Sequence, residues 1–351
     1  MRRRAIAYAL LSAALFGAST PLAKLLVGAV SPLALAGVLY LGSGIGLAAW
    51  LGIRKLRGAA RPATFAPADW LWLAGAIGAG GILGPAMLMY GLARIDAATA
   101  SLLLNLEAVF TAALAWLVFR ENVDRRVFAG MAAIVAGGVV LSWEQMPQAR
   151  GLAGPVLIAG ACLAWALDNN LTRRVSGGDA VLLAALKGVV AGGANLGLAL
   201  MLGAHAPAPG ALLLAGIVGL FGYGVSLVLF IMALRELGTA RTSAYFSVAP
   251  FFGAALALLF FAERAGPAFW AAAALMGIGV WLHLTERHEH EHVHEPIRHS
   301  HEHVHDVHHR HAHEPGQDGR EPHWHVHEHG RLRHRHPHYP DLHHRHEHEP
   351  R

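Results

Sequence analysis

The sequence predicts an all-α integral membrane protein with ten transmembrane helices in two inverted five-helix repeats, followed by a disordered C-terminal tail. Three observations carry this. The 351-residue chain is 54% apolar and only 15% charged, whereas soluble domains carry roughly a quarter charged residues. Ten apolar stretches precede residue 287, most near the roughly 20 residues that cross about 30 Å of hydrocarbon. Finally, 23 of the 25 histidines lie between His288 and His348, so two different materials share one chain. The single cysteine, Cys162, excludes an intramolecular disulfide framework and a thiolate metal cage. Secreted, collagenous and wholly disordered classes are excluded with it.

The first stretch, 5–27, follows Arg2, Arg3 and Arg4 as a signal peptide would. It continues past Pro21 with Lys24 inside it, and a degenerate copy recurs near residue 165, so it reads as a spanning helix. The second, 31–53, stops at the basic run Arg54, Lys55, Arg57, and Arg61 follows in the one long connection. Then come 70–92, 97–119 and 127–143, the last entered through Arg125 and Arg126. The sixth, 152–171, ends at Arg173 and Arg174; 180–203, 210–234, 240–262 and 267–284 complete the set. Placing both termini in the cytoplasm puts fourteen Lys and Arg on the inside, against Lys24, Arg94, Arg150 and Arg264 outside. That is the orientation expected in a bacterial-type inner membrane.

Internal similarity fixes the repeats. A shift of 142 lays LEAVFTAALAWLVFRE, ending at Glu121, on VAPFFGAALALLFFAE, ending at Glu263, and Gly137 on Gly279. Earlier in each half the better shift is 149, laying Phe16 on Trp165, Ser19 on Asp168 and Lys24 on Arg173. Five helices per half is odd, so the second copy enters the membrane inverted. The expected boundaries are 1–145 for the first repeat, 150–287 for the second and 288–351 for the tail. Inverted repeats with a midplane site between them are a secondary-transporter architecture.

The segments SAALFGASTPLAKLLV, LLLNLEAVFTAALAWLVFREN followed by GMAAIVAGGVVLSW, and SAYFSVAPFFGAALALLFFAER resemble the drug/metabolite transporter superfamily, in its form with two EamA-type domains. The resemblance covers roughly the first 287 residues and implies a gradient-driven permease, often an exporter of small metabolites, with a cavity between the halves. Ala108 departs from the pattern by standing where the second half has Pro250, which leaves the shape of the fourth helix open. The histidine tail is not a general feature of the family.

Small residues mark the packing faces. Ala98, Ser101, Asn105, Ala108, Ala112 and Ala115 recur at spacings of three and four, and their copies are Ala240, Ser243, Ser247, Pro250, Ala254 and Ala257. Asn105 is therefore read as interhelical packing. Glu107, two residues on and about 200° round the helix, faces elsewhere. Because a charged group facing lipid costs at least about 2.5 kcal/mol, it must face protein or a wet cavity. It reads either as a proton- or cation-binding carboxylate or as a neutral acid bonded to nearby backbone. Tyr245 and Phe246 are the aromatics expected opposite it. In the sixth helix Trp165, Asp168 and Thr172 share a face, with Asn169 and Asn170 beside them. Lys187 is placed to neutralise Asp168, as a structural pair, a snorkelling lysine or a gating pair. Lys24 and Arg94 are expected to snorkel outward, and Pro21 and Pro250 to kink their helices.

The tail repeats HEHVH at His290–His294 and His301–His305, with HVHEH at His325–His329. Such polar low complexity is not expected to bury a core. Neutral imidazoles two residues apart suit Zn, Ni, Co or Cu. The expected ligands are His288, His290, His292, His294, His299, His301, His303, His305, His323, His325, His327 and His329. The plainer alternative is an inert extension that turns cationic below about pH 6.5.

The leading functional expectation is an exporter of a small organic metabolite or amino-acid-like solute, driven by proton exchange, with a metal-binding cytoplasmic tail. The alternatives are a divalent metal (Zn, Ni, Co) transporter, and a membrane-anchored metal buffer or sensor. No enzyme constellation, required cofactor or nucleic-acid partner is indicated. The expected partners are a small solute, the lipid bilayer and divalent ions, with a homodimer left open.

Overall fold

The computed structural model describes residues 2–58, 67, 69–119, 125–145, 151–175, 179–237, 242, 245–261, 263, 265–285, 289–294, 297–303, 323–329 and 332–337. It divides into a helical body, Met1–Glu286, and a tail, Arg287–Arg351. The body is built from α1 (Arg2–Leu26), α2 (Pro32–Leu56), α3 (Asp69–Ala76), a π-helical segment (Ile77–Leu83) and α4 (Gly84–Leu92). Next are α5 (Ala97–Leu103), α6 (Leu106–Phe119) and α7 (Arg125–Gln145). The second half has α8 (Ala153–Val175), α9 (Ala180–Met201), α10 (Pro209–Gly219), a second π segment (Leu220–Val225) and α11 (Ser226–Leu237). It ends with α12 (Ala249–Phe261) and α13 (Pro267–Leu284). Each of the ten stretches read from the sequence is thus occupied by helix. Among the described residues, seven helical stretches have the length and hydropathy of a membrane span, with Ala249–Phe261 and Pro267–His283 as shorter apolar helices.

Several of the spans are not plain rods. The fourth breaks at Leu104 and Asn105 and the ninth at Ser247 and Val248, and the shift of 142 lays Asn105 on Ser247. Pro250 follows the second break, yet the first occurs with Ala108 in its place, so the break belongs to the repeat rather than to proline. The surroundings absorb it: the Cys162 thiol lies 3.7 and 3.8 Å from the carbonyls of Leu103 and Leu104, and Asn105 Nδ2 donates to Leu102 O at 2.9 Å. Polar side chains that re-satisfy freed backbone groups are what permit irregular helix at membrane depth. The two π segments also occupy matching places, laying Gly80 on Gly222.

The halves interlock at an antiparallel crossing of α2 and α9. A Cβ on Gly37 would lie 2.5 Å from Leu196 N, and one on Gly192 would lie 2.8 Å from Gly37 O. Only glycine allows backbones this close, which is how van der Waals packing replaces the missing hydrophobic drive in lipid. At one end of the bundle Asp179 caps α9, accepting from Val181 N at 2.8 Å and Leu182 N at 3.1 Å. Arg54 lies 3.4 Å from the same carboxylate.

In the tail, β1 (Glu289–His294) pairs antiparallel with β4 (Leu332–Pro337), and β2 (Ile297–His303) with β3 (His323–His329). This local order differs from the expectation of a tail without structure. Its physical basis is the strict alternation of histidine with other residues, which matches the period of a strand. The register sets His290 opposite His336, and His292 opposite His334. It likewise pairs His299 with His327, His301 with His325, and His303 with His323. His288 and His305 lie outside the described residues.

Candidate functional site

The two halves meet in the body on a chain of aromatic rings. Phe16 of α1 lies edge-on to Trp165 of α8, centroids 5.8 Å apart, although the repeat makes these two the same position. It also packs on Tyr223 of the second π segment at 5.8 Å and on Phe246 at 5.4 Å. Tyr40 joins through Tyr223 at 5.3 Å, and Phe230 through Phe246 at 5.0 Å. The cluster therefore draws on both repeats, the interface at which such folds place their ligand.

The first π segment organises one side of it. Widening the turn frees Gly80 O from the regular helical ladder, and two side chains use it: Tyr40 OH and Trp165 Nε1 each donate to it at 2.9 Å. Gly80 also passes so close to Asp168 that a Cβ there would overlap the carboxylate. Asn195 Nδ2 donates to Ile82 O at 3.2 Å. Among the described residues, Tyr223 OH and Thr20 Oγ1 are buried without a hydrogen-bond partner.

Asp168 and Lys187 form a buried ion pair, as the sequence suggested. Lys187 Nζ lies 2.6 and 2.7 Å from the two carboxylate oxygens, and the Thr172 hydroxyl donates to Oδ1 at 2.7 Å. The exposures are only 7% for Asp168 and 5% for Lys187, so Lys187 does not snorkel. The two groups satisfy each other, and Thr172 adds a further hydrogen bond to the carboxylate.

Glu107 stands apart from that pair. It is half-buried at the start of α6 and accepts from Asn169 Nδ2 at 2.7 Å. Asn169 is exposed. Leu163 and Leu167, 42% and 41% exposed, mark the lipid stripe of α8, and Asn169 lies about 200° round the helix from Leu167. The amide and acid therefore lie on the face of α8 opposite these leucines. Trp165 is one turn from Asn169, so the carboxylate and the aromatic cluster are reached from the same face of α8.

Of the residues expected at the site, the structure brings together Glu107 with Asn169, Asp168 with Lys187, and Trp165 with Phe246 through Phe16. Tyr245 sits elsewhere, packed on the small cluster of Ala5, Ala9, Ala233 and Leu237 with Ile6 and Tyr8. The partner found for Glu107 is thus an amide rather than an aromatic of the opposite half. Asn105 is 2% exposed, and its amide lies 3.8 Å from Met276 Sδ, so its contacts are of the packing kind. Lys24 does not extend outward as expected: it bonds Leu92 O, and Ile95 O at 2.7 Å, capping carbonyls that the end of a helix leaves open. Arg94 is half-buried, its guanidinium 2.6 Å from Tyr90 O.

Sequence reasoning missed Tyr40, Tyr223 and Gly80. The signal was present in the glycine-rich runs IGAGGIL and GLFGYGV, which the shift of 142 superposes.

Comparison with known proteins bears on the same halves. The model of the EamA-like transporter family matches twice, over residues 3–143 and 152–285. The chain belongs to the EamA-like transporter family. Among other members, an "Uncharacterized transporter" of Methanothermobacter thermautotrophicus is 30% identical over 188 residues, 52% of this chain and 55% of that one. A protein of Pseudomonas fluorescens is 38% identical over 74 residues, 21% of this chain and 61% of its own length. It is named "Probable 4-amino-4-deoxy-L-arabinose-phosphoundecaprenol flippase subunit ArnE". The chain therefore spans little more than half the length of these curated relatives. A solved crystal structure covers 79% of this chain and 95% of its own, with a TM-score of 0.59 at 19% identity, which shows the shared fold. This EamA-like transporter is accordingly an integral membrane protein whose two family regions each supply one wall of the aromatic cluster.

Proposed function

We propose that this EamA-like protein exports a small organic metabolite or amino-acid-like solute across a bacterial-type inner membrane in exchange for protons, with both termini in the cytoplasm. The carrying observation is Glu107 of the first half, held by Asn169 of the second at 2.7 Å. A carboxyl at membrane depth with one neutral hydrogen-bond partner can release and rebind a proton as the carrier changes sides. The aromatic chain from Phe16 to Phe246 supplies a wall against which an apolar or planar part of a solute would pack. Asp168 and Lys187 neutralise each other and support that wall through Gly80. The name of one relative adds a lipid-linked amino-sugar to the solutes to be screened.

Glu107→Gln is expected to keep the bundle, because the amide can still meet Asn169, while removing the titratable oxygen. In proteoliposomes, solute movement driven by an imposed pH gradient should fall to the leak rate. Movement down the solute's own gradient should persist. The membrane potential supplies about 2.3 kcal/mol per charge per 100 mV, so it must be clamped separately. Undiminished proton-driven flux in the variant would reject the assignment.

The tail is proposed to bind divalent metal without serving as the transport path. The register that sets five pairs of histidines opposite one another supports two-histidine contacts, since cross-strand neighbours stand about 4.5–5.5 Å apart, although among the described residues no three ligands converge. Neutral imidazole is the ligand, so binding is present above its ordinary pKa of about 6.5 and lost as pH falls through it. Equilibrium dialysis of the full-length protein should find several Zn or Ni ions at pH 7.5 and few at pH 5. A chain ending at Arg287 should bind almost none while retaining solute flux. Equal metal content in the two chains would refute the proposal.

A further inference from the structure

The end of the bundle that carries Lys24 is closed by a contact between the two repeats. The Glu263 carboxylate, just after α12, accepts from Ala97 N at 3.0 Å with one oxygen and from Ala98 N at 2.9 Å with the other. These are the first two amides of α5, and Asp96 Oδ1 takes the third, Thr99 N, at 2.7 Å. Such amides have no partner within their own helix, and Glu263 is the only one of these acceptors that comes from the opposite repeat. Below this clamp α12 packs against α1 and α5. A Cβ on Gly253 would lie 2.7 Å from Gly17 O and 2.8 Å from Ser101 Oγ, so no path runs between them.

The opposite end differs at matching positions. The repeat lays Thr20 on Asn169 and Ala249 on Glu107. Thr20 is 1% exposed and Ala249 is 0%, whereas Asn169 is exposed and Glu107 half-buried. Equivalent residues of the two halves thus differ in burial, closed over in Thr20 and Ala249 and more accessible in Asn169 and Glu107.

We infer that Glu263 is a gate latch: its bond to the α5 amides holds the Lys24 end shut, and its release lets α12 part from α1 and α5 so that the site opens to that side. This rests on the proposed carrier cycle and adds the residue that sets the balance between its two open states. Among the described residues Glu263 bonds the α5 amides and not the rings of the aromatic cluster or Glu107, so its role is positional.

The test reads accessibility rather than flux, which separates it from the fate of the proton-exchange reading. In a Cys162→Ala background, Thr20→Cys reports opening of the Lys24 end and Asn169→Cys opening of the other. An impermeant maleimide is applied to proteoliposomes from each side in turn. Glu263→Gln should raise labelling at position 20 about tenfold or more, the equivalent of one lost charge-assisted hydrogen bond, and lower labelling at position 169.

A second variant guards against a folding defect. Ala97→Pro deletes one latched amide at the first position of a helix, where proline is well tolerated. Asp96 already has the extended conformation, φ −66° and ψ 156°, that a following proline requires. It should shift both reporters in the same direction, and combining it with Glu263→Gln should add little. If both single variants label like the parent, or if their effects simply add, Glu263 is not a latch.

Discussion

Asp168→Asn is expected to destabilise the body by about 3–5 kcal/mol, because it leaves the Lys187 ammonium buried without its counter-charge. The pair is nearly closed to solvent, at 7% and 5% exposure, and α9 offers Lys187 no second carboxylate at these distances. Thr172, 3.3 Å from Nζ, can supply only a dipole. In detergent, thermal unfolding followed by tryptophan fluorescence should show a large drop in the midpoint, with poor recovery of folded protein. The double variant Asp168→Asn, Lys187→Met removes both charges and should recover most of the loss, since a buried pair is often replaceable by apolar groups of similar size. The double variant also divides structure from function. Transport that survives in it makes the pair a support for the π segment, whereas a stable protein that no longer transports assigns the pair to the cycle. An Asp168→Asn protein as stable as the parent would overturn the electrostatic account altogether.

What the sequence made legible follows from which signals are one-dimensional. Span length, charge bias and the two repeat shifts are properties of the string, so the ten helical stretches and the repeat equivalence of Phe16 and Trp165 could be read before any coordinates, though not the contact between those rings. The Asp168–Lys187 pair was also legible, because few charges occur in the spans and two of opposite sign on neighbouring helices at similar depth have little else to bind. The partner of Glu107 was not. Helical phase gives a direction on α6 but not the rotation of α8 that turns Asn169 toward it. The expected meeting with Tyr245 rested on helical spacing and the repeat alignment, whereas Tyr245 packs on the cluster of Ala5, Ala9, Ala233 and Leu237. Lys24 was misjudged for a related reason. A lysine near a span end can reach water or the open carbonyls of a neighbouring helix, and only the position of Leu92 and Ile95 decides. Glu263 stood in the repeat as the mate of Glu121, and nothing in the string says that the first amides of α5 lie within its reach. In the tail, the period-two histidines carried the strand signal, but low complexity argued against any fixed register.

Gly80→Ala and Gly78→Ala are expected to differ sharply although they add the same methyl to the same π segment two residues apart. A Cβ at Gly78 would meet nothing within 4 Å, so that substitution should be neutral, or slightly stabilising through reduced backbone entropy of the unfolded chain. At Gly80 the methyl would overlap Cβ, Cγ and Oδ2 of Asp168. Neither residue has a positive φ, so backbone strain does not enter and the contrast isolates packing. Asp168 cannot swing aside cheaply, because its side chain is short and both oxygens are held by Lys187. The π segment must therefore move instead, and Gly80 O then leaves Tyr40 OH and Trp165 Nε1. Overpacking of this kind costs about 1–3 kcal/mol, to which the weakened hydrogen bonds of two buried aromatics add. Thermal midpoints of the two variants should thus separate by several degrees, and intrinsic fluorescence of Trp165, isolated by replacing the other tryptophans, should shift only for Gly80→Ala. The functional consequence lies in the aromatic cluster, since Trp165 is the ring that faces Phe16. Weaker solute binding is therefore expected in Gly80→Ala at temperatures where it is folded, with proton coupling through Glu107 retained. Equal behaviour of the two alanine variants would mean that the close approach of the π segment to Asp168 does not organise the site.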